Sequence, residues 1–159
     1  MKQYSFSKNL EDNYKLMTQT VKAFLDGESN VIANLSNTSA IINEYVKDIN
    51  WVGFYLMEGH ELVLGPFQGK PACIRIPVGH GVCGMAAEKK ETLVVKDVHQ
   101  FPGHIACDGA SNSEIVIPII KNGAVFGVLD VDSPEFNRFT DLEKKYLEEL
   151  VDIIESSLT

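Results

Sequence analysis

The dipeptide Asn122-Gly123 constrains this chain more than any other local feature, because it stands between two strand-like runs, Glu114–Ile120 and Ala124–Val131. A two-residue hairpin turn whose twist matches its strands needs positive φ at both central positions, and Asn-Gly adopts that geometry at little cost. Side chains alternate faces along a strand, so Asp130 and Asp132 share one face, and the turn brings Glu114 opposite about position 131. Three carboxylates are therefore expected at one end of a single, otherwise apolar hairpin. Crowded carboxylates raise one another's pKa, which leaves a protonated acid near neutral pH and hence a proton donor. Solvated strand ends, or a turn cap at Asp132-Ser133-Pro134, account for the same acids without chemistry.

The rest of the chain supplies layers for that hairpin. Within Lys8–Asp26, the residues Leu10, Tyr14, Met17, Val21, Phe24 and Leu25 recur at helical spacing, and Gly27 supplies a stop. A second amphipathic helix is expected over about Asn30–Val46, with Ser36-Asn37-Thr38-Ser39 as a point of fraying. Strands are expected at Trp51–Met57, at Glu61–Leu64 after a Gly59-His60 turn, at Cys73–Pro77 and at Thr92–Val95. A short helix, Val82–Lys89, separates the last two. Thr140-Asp-Leu-Glu143 fits a capping box opening a final helix with Leu142, Tyr146, Leu150, Ile153 and Ile154 on one face. These elements predict an α+β fold, a central antiparallel sheet of about six strands flanked by helices.

With 159 residues, 45% of them hydrophobic, the chain fits one domain over 1–159. A formal net charge of -8 repels polyanions, and Lys89-Lys90 is too short a basic run to override it, so no nucleic-acid partner is expected. The N-terminal segment lacks an apolar signal core and no apolar stretch approaches a membrane span, which predicts a cytoplasmic protein with no membrane partner.

Cys73, Cys83 and Cys107 are odd in number and show no CxxC spacing, which argues against a zinc ribbon or a disulfide framework. No metal is expected. Free thiols of this kind are commonly inert core residues, but Cys107 stands in the Asp97–Asn112 segment together with His99, His104 and Asp108. That segment is longer than an ordinary strand connection, and Phe101-Pro102-Gly103 and Ile105-Ala106 give it the apolar anchors of a lid. A reactive cysteine must be available as thiolate. His99 or His104 is a candidate assistant, although both read equally well as solvated loop histidines. A Cys-His-Asp hydrolase fits the composition, but no local hydrolase signature accompanies Cys107. Trp51 and Tyr55, four apart on one strand, share a face and wall a small pocket or pack a core.

Five stretches together form a recognisable pattern: Asn50-Trp-Val-Gly-Phe-Tyr55, Leu64-Gly-Pro-Phe-Gln-Gly69-Lys-Pro-Ala-Cys73, Ile76-Pro-Val-Gly-His-Gly-Val-Cys-Gly84, His104 to Glu114, and Gly127-Val-Leu-Asp-Val-Asp-Ser133. The chain resembles the free methionine-R-sulfoxide reductases over nearly its whole length. That resemblance implies a GAF fold whose pocket holds one free amino acid, with Cys107 as the catalytic cysteine and Cys73 as the resolving one. Cys83 matches a cysteine that helps recycling in some members. The implied substrate contacts are Trp51 and Tyr55 for the methyl end, Glu114 and Asp132 for the sulfoxide oxygen, and Asp130 for the ammonium group. No cofactor is implied. The implied partners are free methionine-R-sulfoxide as substrate, a thioredoxin-like reductant and a second copy in a homodimer. A GAF module that senses a small molecule or redox state without turnover is the alternative reading.

Overall fold

In the computed structural model, which describes residues 9–105 and 107–159, the expected hairpin forms around a left-handed turn. Asn122 and Gly123 have φ of 52° and 78°, and β5 (Ser113–Lys121) returns as β6 (Ala124–Ser133). The pairing departs from strict turn symmetry by one residue. Lys121 pairs with Ala124 and Ile120 with Val125, but Ile119 pairs with Gly127, so Phe126 is an extra residue on β6. Glu114 consequently faces Asp132, not position 131 as the turn alone suggests. One residue of slip exchanges the two faces of a strand. The bulge therefore sets Glu114 and Val116 on the same face as Asp132 and Asp130.

On the other side of β6 lies β1 (Trp51–Glu58), which turns into β2 (Glu61–Gly69) and then β3 (Arg75–Pro77); β4 (Leu93–Val95) pairs with β5. All pairings are antiparallel, and the sheet order is β3-β2-β1-β6-β5-β4. Helices α1 (Leu10–Leu25), α2 (Val31–Tyr45) and α4 (Asp141–Ser157) cover one face, where Tyr14, Met17, Leu35 and Leu150 pack on Val52, Phe54, Ile115 and Leu129. The short α3 (Gly81–Lys89) covers the other face, with Val82, Cys83 and Ala86 against Trp51, Tyr55, Val116 and Val128. This α+β sandwich buries one core per face and leaves the acids of the central hairpin beneath α3.

Several boundaries differ from the sequence expectation. The strand run at Cys73–Pro77 shortens to Arg75–Pro77, leaving Cys73 and Ile74 in the segment before it, while the second strand runs past Leu64 to Gly69. The polar run in α2 does not fray it: the hydroxyls of Ser36, Thr38 and Ser39 donate to the carbonyls of Ile32, Asn34 and Leu35, at 2.7, 2.7 and 2.9 Å. The capping box at Thr140 forms, and its Glu143 also accepts from the Tyr14 hydroxyl at 2.7 Å, joining α4 to α1. Lys8, the expected start of the first helix, lies outside the described residues. Among the described residues no helix is long and apolar enough to cross a membrane.

The close pairing of β6 with β1 needs glycine at position 127, where a Cβ would collide with the Tyr55 carbonyl oxygen. Gly127→Ala is expected to lower stability by about 1–3 kcal/mol through forced backbone displacement. Gly109→Ala, with nothing within 4 Å of the added atom, serves as the neutral control in the same urea titration.

Candidate active site

The pocket is built on the face that the Phe126 bulge creates. Three neighbouring strands supply its acids and aromatic rings. From β5 and β6 come Glu114, Asp132 and Asp130; from β1 comes Trp51, directly opposite Asp132, with Gly53 opposite Asp130. Position 53 must be glycine because a Cβ there would meet the Phe67 Cβ across the strand pair. That close approach lets Phe67 stack on Trp51 with ring centroids 5.2 Å apart, and Tyr55 stacks on the same indole at 5.9 Å. The two rings of β1 also act as ties. The Trp51 indole N–H donates to the Lys70 carbonyl at 3.1 Å, and the Tyr55 hydroxyl donates to the Cys73 carbonyl at 2.9 Å. The segment carrying Cys73 is thus held against the aromatic wall.

Above this wall, Cys73 and Cys107 form a disulfide with their Cα atoms 5.4 Å apart, within the range an unforced bridge requires. Cys107, His104, Ile105, Asp108 and Ser111 from the 97–112 segment line the pocket. Opposite them stand Trp51, Tyr55, Ile76, Val82, Cys83 and the three carboxylates. Its atom-free space, open mouth included, is about 500 Å³.

The acids are sealed at its inner end. Glu114, Asp130 and Asp132 are 6%, 5% and 9% exposed. Loss of water is the largest cause raising all three pKa values, and their mutual repulsion adds to it: Glu114 and Asp132 lie well above the carboxylate range, and Asp130 is raised to about 8. Such a cluster takes up and releases protons as a unit. Cys83, free and buried, lies beside Asp130, and burial next to the three acids holds it as a thiol. Cys83, Glu114 and Asp130 present ligand atoms within 4.8 Å of one another, a spacing that a metal ion could bridge. Asp130 Oδ1 is buried and has no hydrogen-bond partner among the described residues, so the pocket offers an unused acceptor.

The loop bearing Cys107 is pinched at its base, where Val98 N donates to Asn112 O at 3.0 Å and Asn112 N to Ser133 O at 2.8 Å. Asn50, just before β1, donates to Asp108 Oδ2 at 3.0 Å and to Ser111 Oγ at 3.1 Å, tying the loop to the sheet. Of the expected anchors, Phe101 packs on the pocket-side core, whereas Ile105 is partly exposed beside Gly81 and Ala106 lies outside the described residues. The two histidines separate. His104 lines the pocket, and its pKa is lowered by burial and by nearby His99. His99 does not line it; its Nε2 lies 2.9 Å from Asn112 Oδ1. Sequence reasoning had no handle on the clamp made by Asn50, Asp108 and Ser111, or on the apolar lining from Ile76 and Val82.

The chain is similar in sequence and fold to known proteins. A family model for the GAF domain matches residues 32–159. The chain is 51% identical over 150 residues to the free methionine-R-sulfoxide reductase of Escherichia coli, covering 94% of this chain and 91% of that one. It belongs to the GAF-domain free methionine-R-sulfoxide reductases. Solved structures agree: fRMsr of Staphylococcus aureus in its reduced form superposes with a TM-score of 0.90 at 54% identity, covering 92% of this chain and 96% of that one. The free methionine-R-sulfoxide reductase of Neisseria meningitidis in complex with its substrate gives 0.94 at 42% identity, over 99% and 95%. Family membership is therefore carried by both sequence and fold across almost the entire chain.

Because the folded-state pKa of Asp130 lies above its unfolded value, the folded protein binds this proton more tightly. The resulting stability is complete below the unfolded range near 3.8 and is lost as the pH rises through about 8. Asp130→Asn, which keeps the shape and cannot ionise, should therefore gain Tm over the parent at about pH 9 and much less at about pH 5. Each kcal/mol gained appears as roughly 2–4 °C in a domain of this size. An equal difference at both pH values would show that the folded-state carboxyl is already ionised by about pH 5 and that its pKa is not raised.

Proposed function

We propose that this protein reduces free methionine-R-sulfoxide to methionine, with Cys107 as the attacking thiol. The observation that supports this most directly is the common pocket: Cys107 faces the same cavity as three buried carboxylic acids and is bonded to a second cysteine. The chemistry needs those three ingredients. In the reduced protein the Cys107 thiolate attacks the sulfoxide sulfur, and a protonated carboxyl of Glu114 or Asp132 delivers a proton to the departing oxygen, because oxide is a poor leaving group. The raised pKa values of both acids keep that proton available near neutral pH. His104, held neutral by burial, is the candidate acceptor of the Cys107 proton.

The protonated oxygen passes to the Cys107 sulfur as methionine leaves, so that Cys107 becomes a sulfenic acid. The Cys73 thiol then displaces water to form the disulfide, and a thioredoxin-like dithiol in a reducing compartment returns both cysteines to thiols. Cys83 stays in reserve as an auxiliary thiol for recycling, since its burial beside the acids disfavours thiolate.

The placement of the remaining residues suits a free amino acid. Trp51 and Tyr55 offer an aromatic wall for the methyl end, Glu114 and Asp132 hold the oxygen, and the unpartnered Asp130 Oδ1 accepts from the ammonium group. A peptide-bound residue has no ammonium group to offer and needs two exits for its chain. Fixed places for oxygen, methyl and ammonium leave the opposite epimer with one group misplaced.

With dithiothreitol as reductant, free R-sulfoxide should be consumed while the S epimer and peptide-bound sulfoxides persist. Ligand binding without consumption would make this a sensor. Cys107→Ser should release no methionine in a single turnover, and Cys73→Ser should release about one equivalent and then stall. Asp132→Asn should slow the single-turnover rate roughly 100-fold or more; an unchanged rate would assign the proton to Glu114.

A further inference from the structure

We propose that the strap Lys70–Arg75 is the docking edge for the protein dithiol that reduces this enzyme, and that the incoming thiolate attacks Cys73 rather than Cys107. The inference rests on the disulfide reading above and adds the side of attack and the surface that receives the partner.

The two bonded sulfurs sit in different surroundings. Cys107 lines the pocket together with Asp108, Glu114 and Asp132, whereas Cys73 does not line it and belongs to the strap. Exchange requires a thiolate to reach one sulfur and expel the other, so access and local charge select the target. Both cysteines are half-buried, but a thiolate reaching Cys107 by way of the pocket would come up beside those acids, whereas one reaching Cys73 from the strap would not. The strap, Lys70-Pro-Ala-Cys-Ile-Arg75, carries no acidic side chain in a chain of net charge -8.

The strap is also a prepared surface. Its inner side is fixed by three hydrogen bonds: from Trp51 to the Lys70 carbonyl, from Tyr55 to the Cys73 carbonyl, and from the Leu64 amide to the Ile74 carbonyl at 2.9 Å. On that rigid backbone the Ile74 side chain is left 67% exposed, and Ile105, two residues before Cys107, is 36% exposed. Single exposed isoleucines are ordinary, but these two flank the two halves of one disulfide. With the bridged Cα atoms 5.4 Å apart, and one chain step adding about 3.8 Å, Ile74 lies within roughly 9 Å of Cys107 by Cα position. A partner whose reactive thiol sits in an apolar rim would cover Ile74 as its sulfur meets Cys73.

The exchange balances. The partner's first thiolate bonds to the Cys73 sulfur as the Cys73–Cys107 bond breaks, and Cys107 leaves as a thiolate into the pocket, the form in which it attacks substrate. The partner's second thiol, losing its proton, then bonds to its own first sulfur and releases Cys73. Two electrons have passed from the dithiol to the disulfide.

The test has two arms. The oxidised protein is mixed with a thioredoxin-type protein whose second cysteine is replaced by serine, and the mixed disulfide is mapped by peptide mass. A bond to Cys73 is expected; a bond to Cys107, or to neither, overturns the side of attack. In steady state, Ile74→Asp should raise the KM for the protein dithiol roughly fivefold or more, as loss of an apolar anchor does, with the dithiothreitol-driven rate unchanged. An unaltered KM, or an equal loss with dithiothreitol, overturns the docking surface. Failure of the activity reading appears separately, as no sulfoxide consumed by the parent protein with dithiothreitol, and the mapped disulfide still decides the side of attack.

Discussion

Three carboxyl groups enclosed beneath one short helix cannot all be ionised, since each charge would lack water and repel the others. Burial of Glu114, Asp130 and Asp132 on a common face is the constraint on which the rest of the pocket depends. It exists because β6 holds one extra residue, Phe126, between the turn and the acids. Without that bulge Glu114 would face Val131, and its carboxyl would lie on the opposite face from Asp130 and Asp132. The surrounding groups respond to the cluster: Cys83 is kept as a thiol, and the Tyr55 hydroxyl is held firmly protonated by burial and by the nearby acids. The result is a cluster of buried acids in the cavity, with the Cys73–Cys107 disulfide beside it.

Trp51 and Tyr55 join these two parts. Their rings wall the cavity while their polar tips hold the carbonyls of Lys70 and Cys73. An aromatic side chain suits this double duty because an apolar body and a polar handle occupy one rigid unit. The strap bearing Cys73 is therefore positioned by the same residues that would contact the methyl end of a substrate. On the other side, Asn50 and the base pinch at Val98 and Asn112 hold the loop of Cys107 against the sheet. The two cysteines meet because two independently anchored segments converge over one pocket.

Much of this arrangement is legible in the chain. Helical periodicity locates α1 and α4, the capping box marks where α4 begins, and Asn122-Gly123 announces the central hairpin with both its acids and its partner strand. Spacing places Trp51 with Tyr55 and Asp130 with Asp132. The family pattern singles out the three cysteines. Other features carry no local signal. Gly127 hints at an irregularity in β6 but does not place the extra residue, the hydroxyl-rich middle of α2 looks like a break although its side chains bond back to their own helix, and β2 continues past Leu64 through Gly65 and Pro66 because β1 pairs with it. His99 and His104 look alike in sequence and separate only when Asn112 engages the first.

By itself, then, the sequence determined the elements and the family and singled out candidate reactive residues, because turn chemistry, side-chain alternation and motif spacing act over a few residues. Only the tertiary structure decided which face the carboxylates share, that Cys73 and Cys107 lie within bonding reach across 34 residues of chain, and that Cys83 faces the acids. Those outcomes depend on register and on burial among distant segments. A one-residue slip in a strand reverses its faces, and a pKa follows the water and charge that the whole fold leaves around a group.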